Sequence, residues 1–366
     1  MITGSGISLN VDSVSTLRSA TNEWYGRAAV KVKNGVVICC YRHGSHHAVN
    51  DGELHIKFSS DYGATWTAED TFTDSSAVSG FPMNPSTLNA GEDAGEPWLY
   101  LAPNGDLVLH MWRVDYNVSG NGTYQSRSTD GGKTWSTSAQ VDFTGIANDS
   151  QVFATDDDFV YNSVIYAGAR IHDADQNPSE SILIKSSDNG TTWEKVSTIC
   201  ANNEGAGGTG AWEVGLEYLG NNTIIAELRM QDLTRAYQRV STDMGATWGA
   251  LTEMTSQIGI AGRQRVYTRT HLKGESNWWT DRYLIMTGFI HTTAGSSQGR
   301  INCIWFSTDA GTTWSNPKRI DVSYEDGGYG DIFYNANTGK YVVISYRGTQ
   351  AEASLIQYNL TFHGVD

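Results

Sequence analysis

Apolar and polar residues alternate one by one in short runs along the whole chain. Leu54 to Ser59 reads LHIKFS, Ser181 to Ser186 reads SILIKS, and Ile301 to Ser307 reads INCIWFS. A period of two places every second side chain on one face of an extended segment, so these runs predict β-strands. Long amphipathic helical stretches are absent from the sequence. Each of the three runs leads into the same turn-forming string. It reads SSDYGATW at Ser59 to Trp66, STDGGKTW at Ser128 to Trp135, and SSDNGTTW at Ser186 to Trp193. It returns as STDMGATW at Ser241 to Trp248 and STDAGTTW at Ser307 to Trp314. Five copies of S-x-D-x-G-x-T-W define a repeat architecture with one supersecondary unit per copy.

The octapeptide is a hairpin turn. Its glycine supplies the positive φ of a tight turn, and the Ser hydroxyl and Asp carboxylate tie down turn amides. The closing Thr-Trp pair is expected to start the next strand and to wedge its indole between neighbouring sheets. These residues hold the fold and do no chemistry. If each copy joins the third and fourth strands of a blade, five blades follow in order. In blade one the fourth strand is then TWTAEDTF, from Thr65 to Phe72. Three further strands, near YGDIFYNA, KYVVISYR and SLIQYNLTF, make a sixth blade that lacks its own octapeptide. The N-terminal ISLNVDSVSTL is expected to supply its missing strand. The fold class is therefore all-β, a six-bladed β-propeller of four-stranded antiparallel sheets closed by the N-terminal strand. With no linker or low-complexity tract visible, residues 1–366 are expected to form one domain.

Net charge changes the picture of partners. It is −15, from 25 Lys and Arg against 40 Asp and Glu, which disfavours non-specific binding to nucleic acid or to anionic membranes. Cys39, Cys40, Cys200 and Cys303 show no metal-ligand spacing and are expected to be buried thiols. No signal peptide is visible at the N-terminus, and no apolar run is long enough to span a membrane. The string DADQN, Asp173 to Asn177, lacks the glycine and distant glutamate of a calcium loop. His46 and His47 are expected at a loop surface, and no metal site is expected.

Topology then concentrates charge. The ends of the second strands carry Arg42, Arg113, Arg170, Arg229 and Arg347, with His291 in the remaining blade. First-strand starts carry Arg27, Glu213 and Tyr329. Arg300 precedes a third strand, and Asp51 sits in the loop between the second and third strands of blade one. All fall on the face opposite the octapeptide turns. A third to a half of the arginines are expected to be structural. The rest suggest a central pocket for an anion, since guanidinium groups stay charged and grip carboxylates bidentately.

Over nearly its whole length the chain resembles the sialidase (neuraminidase) superfamily, six-bladed propellers whose octapeptides are called Asp boxes. WEVGLEYLGNNTIIAELRM, Trp212 to Met230, is similar to the segment in which a catalytic Glu precedes a triad Arg. GRINCIWFSTDAGTTW resembles the segment carrying the third triad Arg, GGYGDI the site of the nucleophilic Tyr, and YGRAAV the segment of the first Arg. The resemblance thus implies Tyr329 as nucleophile, Glu213 as its base and Asp51 as acid/base. It implies Arg27, Arg229 and Arg300 as a triad on a substrate carboxylate, and Arg42 joins them as a binding residue. Glu53 rivals Asp51 for the acid role, and Glu217 rivals Glu213.

The chemistry this implies is coherent. The anomeric carbon of a 2-keto sugar acid bears a carboxylate that would repel an anionic nucleophile, and a phenol deprotonated by Glu213 avoids the clash. Hydrolysis with retention, without metal or organic cofactor, is expected on a sialylated or other nonulosonic-acid-containing glycan. A secreted, cell-surface or virion-associated location fits that substrate. Two other functions compete. One is an endo-acting depolymerase of acidic polysaccharide, which Asp51 argues against. The other is a non-catalytic glycan-binding propeller, because fold alone does not fix function.

Overall fold

The computed structural model describes residues 8–46, 50–83, 93–114, 122–144, 146, 152–154, 157–172, 178–205, 210–230, 235–254, 267–272, 284–291, 299–322, 325–349 and 352–363. His47 and the string Asp173 to Asn177 lie outside these residues. Among them there is no helix, and so none long and apolar enough to cross a membrane. The alternating runs form six small sheets, antiparallel but for one short strand, arranged as a six-bladed β-propeller.

The first strand of each blade lies at one edge of its sheet and the chain then walks to the other. Blade one contains Trp24–Lys33, Val36–Gly44 and Glu53–Ser59. Blade two runs Asp93–Leu101, Leu107–Val114, Gly122–Ser128 and Ala139–Gln140. Blade three has its first strand in two pieces, Val152–Phe153 and Asp158–Tyr161, both paired to Val164–His172. Pro178–Ser186 and Trp193–Ala201 complete its antiparallel order, and Phe143–Thr144 adds a parallel edge. Blade four runs Ala211–Gly220, Thr223–Met230, Ala236–Ser241 and Thr252–Glu253. Blade five runs Tyr267–Leu272, Leu284–His291, Arg300–Ser307 and Lys318–Arg319. Blade six takes Asp326–Asn335, Lys340–Gly348 and Glu352–His363 from the end of the chain, and Ser8–Thr21 from its beginning. The ring therefore closes by pairing first strand with last, as the sequence predicts.

Two expectations about the fourth strands are corrected. Thr65 to Phe72 is not a strand; it follows Glu53–Ser59 irregularly, with Thr67 N donating to Phe58 O at 2.9 Å and Asp70 N to Ile56 O at 2.9 Å. The octapeptide tryptophan begins a strand only at Trp193. The other indoles bond across blades or locally, which holds the chain off the ladder for several residues. Trp66 Nε1 donates to Gln357 Oε1 of blade six at 2.8 Å, Trp248 to Ser197 Oγ of blade three at 2.9 Å, and Trp314 to Gln238 Oε1 of blade four at 3.1 Å. Trp135 Nε1 donates within its own turn, to Gly132 O at 2.9 Å.

Inside the octapeptide the same bonds recur in all five copies. In the third, Ser186 Oγ donates to Asp188 Oδ1 at 2.7 Å and accepts from Gly190 N at 2.8 Å, while Thr192 N and Oγ1 both donate to Asp188. Burial alone would raise the Asp188 pKa. The Thr192 amide and hydroxyl and the Ser186 hydroxyl outweigh it and bring the carboxyl to about 2. The fourth and fifth positions both take positive φ, for example Ala310 at 57° and Gly311 at 83°. The core lies between sheets, where Trp98, Trp193 and Trp305 are almost fully buried. All four cysteines are free and buried, with thiols pushed up by burial, as expected for packing residues.

Candidate active site

Four first strands break register at or next to a charged or phenolic residue of the candidate site. The register slips between Tyr25 and Ala28, around Arg27; between Gly95 and Trp98, around Glu96; between Ala211 and Glu213; and between Gly328 and Asp331, around Tyr329. A bulge bends the strand and re-aims a side chain, which is why such irregularities gather at sites. Two of the four residues also sit at positive φ without being glycine, Tyr329 at 51° and Glu96 at 45°. Such backbone persists only where the surroundings over-determine it.

Tyr329 is the centre of the group. Its ring stacks on Tyr346 at 6.2 Å between centroids and lies 6.0 Å from Phe289. Arg229 Nη1 donates to the Tyr329 hydroxyl at 3.2 Å and also pairs with Glu213 Oε2. Arg300 lies over Phe289, 4.6 Å from its centroid, and Nη1 reaches Gly327 O at 3.3 Å and Tyr346 Oη at 3.5 Å. Burial pushes the Tyr329 phenol up to about 12, and the Glu213 carboxylate adds to it; Arg229 and Arg300 pull the other way. One guanidinium thus joins the acid and the phenol that the sequence nominated.

Arg27 is 2% exposed, packs 5.3 Å from the Trp98 ring and pairs with Glu96 Oε2 at 3.2 Å. Glu96 also raises the Tyr329 phenol, so Arg27 belongs to the same mouth. Arg42 forms the flank. Its Nε and Nη2 donate to Asp93 Oδ1 at 3.1 and 2.9 Å, Nη1 donates to His46 O at 3.1 Å, and the guanidinium lies 5.2 Å from Trp24. Trp24 packs on Tyr346 at 5.1 Å, which links the flank to the Tyr329 ring. A Cβ on Gly52 would stand 1.7 Å from Asp93 Oδ1 and 2.6 Å from Arg42 Nε, so only glycine lets this pair form.

Asp51 is exposed and accepts the Ser45 amide at 3.1 Å. It lies near the Arg42–Asp93 pair: burial raises the Asp93 pKa against the opposing pull of Arg42, and the charges of Asp51 and Glu96 add to the rise. Glu53 turns to the other face of its strand, toward His55, and Glu217 lies further along the interior of Ala211–Gly220. Three of the remaining arginines have structural partners. Arg347 bonds Asp321 at 2.8 Å, Arg170 bonds Trp212 O at 2.7 Å and covers Trp112, and Arg113 covers Tyr124.

Glu96 and Asp93 are the residues that reading the sequence missed. The apolar run of this strand, PWLYLAP, starts only at Pro97, whereas the ladder begins at Asp93. The signal was present in position, since Gly95-Glu96 stands at the same strand start as Gly26-Arg27.

The pattern of the BNR repeat-like domain matches residues 83–261. No curated protein sequence matches the chain. Similar solved structures include a protein of unknown function from Dyadobacter fermentans DSM 18053. It is 17% identical, covers 96% of this chain and 99% of its own length, and superposes with a TM-score of 0.69. The Hadza microbial sialidase Hz136 is 18% identical over 90% of this chain and 65% of its own, with a TM-score of 0.63. An alpha-L-arabinanase from Penicillium chrysogenum is 15% identical over 95% and 98%, with a TM-score of 0.59. The fold places the chain among six-bladed propellers. It is the sialidase-like propeller fold, shared with the sialidase and arabinanase structures above.

Proposed function

We propose that the protein is a retaining exo-glycoside hydrolase that releases a terminal sialic acid or a related nonulosonic acid. The observation that carries this reading is the shared guanidinium: Arg229 Nη1 bonds the Tyr329 hydroxyl at 3.2 Å and pairs with Glu213. In the reaction, Glu213 takes the phenolic proton and the Tyr329 oxygen attacks the anomeric carbon. Arg229 steadies the developing phenolate, which burial would otherwise disfavour. Asp51 gives a proton to the leaving oxygen and then takes one from the water that frees the sugar. Arg27, Arg229 and Arg300 hold the substrate carboxylate, and Arg42 supports the rim.

One observation favours a second reading. Arg27 already holds a carboxylate, that of Glu96, and Glu96 and Glu213 both act on the Tyr329 phenol. Two carboxylates flanking one mouth suit a neutral sugar, and an arabinanase shares the fold. Aryl sialosides and aryl arabinofuranosides assayed side by side separate the two. Release from the sialoside alone supports the first reading, and release from the arabinofuranoside alone overturns it. Turnover of neither, with binding of a sialylated glycan, favours a non-catalytic propeller.

A further inference from the structure

We propose that blade one carries a binding site for a divalent transition cation of the zinc type, made by His43, Glu53 and His55 and completed by Glu23. Antiparallel pairing sets His43 directly opposite Glu53 and places His55 two residues further along the same face. One ligand atom from each of His43, Glu53 and His55 lies within 4.8 Å of the other two. His55 Nε2 stands 3.3 Å from Glu53 Oε2, and His43 Nε2 lies against Glu23 Oε2. Ligands around a tetrahedral zinc with bonds of about 2.0–2.1 Å are about 3.3 Å apart, so one pair is already at that spacing and small side-chain shifts bring in the others.

The surroundings match a metal site in two further ways. His55 Nδ1 is 2.8 Å from Asp70 Oδ2, and Asp70 Oδ1 is itself fixed by the Ile56 amide at 3.0 Å. A carboxylate on Nδ1 holds the proton there and leaves the Nε2 lone pair turned toward Glu53, the arrangement that orients a metal-ligating histidine. Charge points the same way. Among the described residues that interact with the group, the carboxylates of Glu23, Glu53, Glu69 and Asp70 meet two cations, Arg18 and Lys57. A divalent ion balances the difference. Glu23 and Glu53 are each about a third exposed, which leaves a path for the ion to enter.

The site has a clear consequence for its neighbours. His43 and Glu53 are the last and first ladder partners on either side of the loop that carries Asp51. A bound ion therefore clamps the base of that loop, whatever sugar the mouth accepts.

The test is titration of EDTA-treated, dialysed full-length protein with zinc chloride by calorimetry, with zinc per chain counted by elemental analysis after desalting. One zinc per chain is expected. His55→Ala and Glu53→Gln should each weaken binding at least about tenfold, and Asp70→Asn by roughly 10–100-fold through the orientation of His55. His46→Ala should keep the full stoichiometry. Where a variant loses its fold by circular dichroism, the unaltered protein decides: cobalt(II) should give the intense visible bands of a four-coordinate site that zinc displaces. Failure to retain zinc, octahedral cobalt spectra, or zinc that survives His43→Ala combined with His55→Ala would each overturn the proposal.

Discussion

Tyr329 shows how much of a site depends on one backbone angle. At φ 51° the residue occupies a region that L side chains rarely adopt, inside a bulge that interrupts the first ladder of blade six. Stacking on Tyr346 and the bond from Arg229 hold it there. On the proposed mechanism, Tyr329→Phe should lower kcat for aryl sialosides by at least about 100-fold while leaving the melting temperature within a few degrees. Unchanged turnover would remove the nucleophile from the reading. A second residue tests electrostatics apart from catalysis. Glu227 is fully buried, and among the described residues neither carboxylate oxygen has a hydrogen-bond partner. Burial holds its pKa well above the usual carboxylate range. Folding must then supply a proton once the pH exceeds the unfolded value of about 4.5, so this group costs stability that grows as pH rises from there. Glu227→Gln should remove that slope and melt higher than the parent at neutral pH, with the two curves converging near pH 4. A lower melt at pH 7 would mean that the carboxylate has a charged partner.

At the scale of elements, the octapeptide stitches blade to blade as well as turning the chain. Ser186 Oγ is the hub of its copy, and replacing it leaves the buried Gly190 amide without an acceptor. Ser186→Ala should therefore cost about 1–2 kcal/mol in denaturant unfolding. The Asp residues add a pH term of known sign. Their folded pKa values are depressed, that of Asp188 to about 2, so their contribution is complete above the unfolded value near 3.8. It is lost as pH falls through about 4 toward 2. A melting temperature that stays flat over this window would contradict it. These turns were legible in the sequence because each is local: four residue types at fixed spacing satisfy one another. The short fourth strands were not. Their length depends on where indoles such as Trp66 and Trp314 find acceptors on another blade, and nothing within the turn encodes that.

The whole molecule depends on closure. Ser8–Thr21 pairs with Glu352–His363 along almost its full length, which joins the two ends of the chain in blade six. Without it the outer edge of blade six is unpaired, and blades one and six keep side-chain bonds such as Trp66 Nε1 to Gln357 Oε1 but lose the strand ladder that closes the ring. Removing residues 1–21 should abolish the cooperative thermal transition and favour aggregation through the open strand edge. A truncated chain that melts cooperatively would show that inter-blade packing alone holds the ring. Closure also brings blade-six Tyr329 beside blade-four Arg229 and Glu213, and blade-five Arg300 onto the aromatic wall between them.

The sequence by itself determined the inner strands of the blades, the five turns, the number of blades and the strand ends that carry Arg27, Arg42, Arg229, Arg300, Glu213 and Tyr329. Those features follow from a two-residue period and from the alternation of strand ends, which a propeller maps onto two faces. Tertiary structure alone decided which charges meet: Arg229 with Tyr329, Arg27 with Glu96, and Arg42 with Asp93. The physical reason is that bulges and packing between blades set these pairings. Both arise from residues far apart in the chain, beyond the reach of any local pattern.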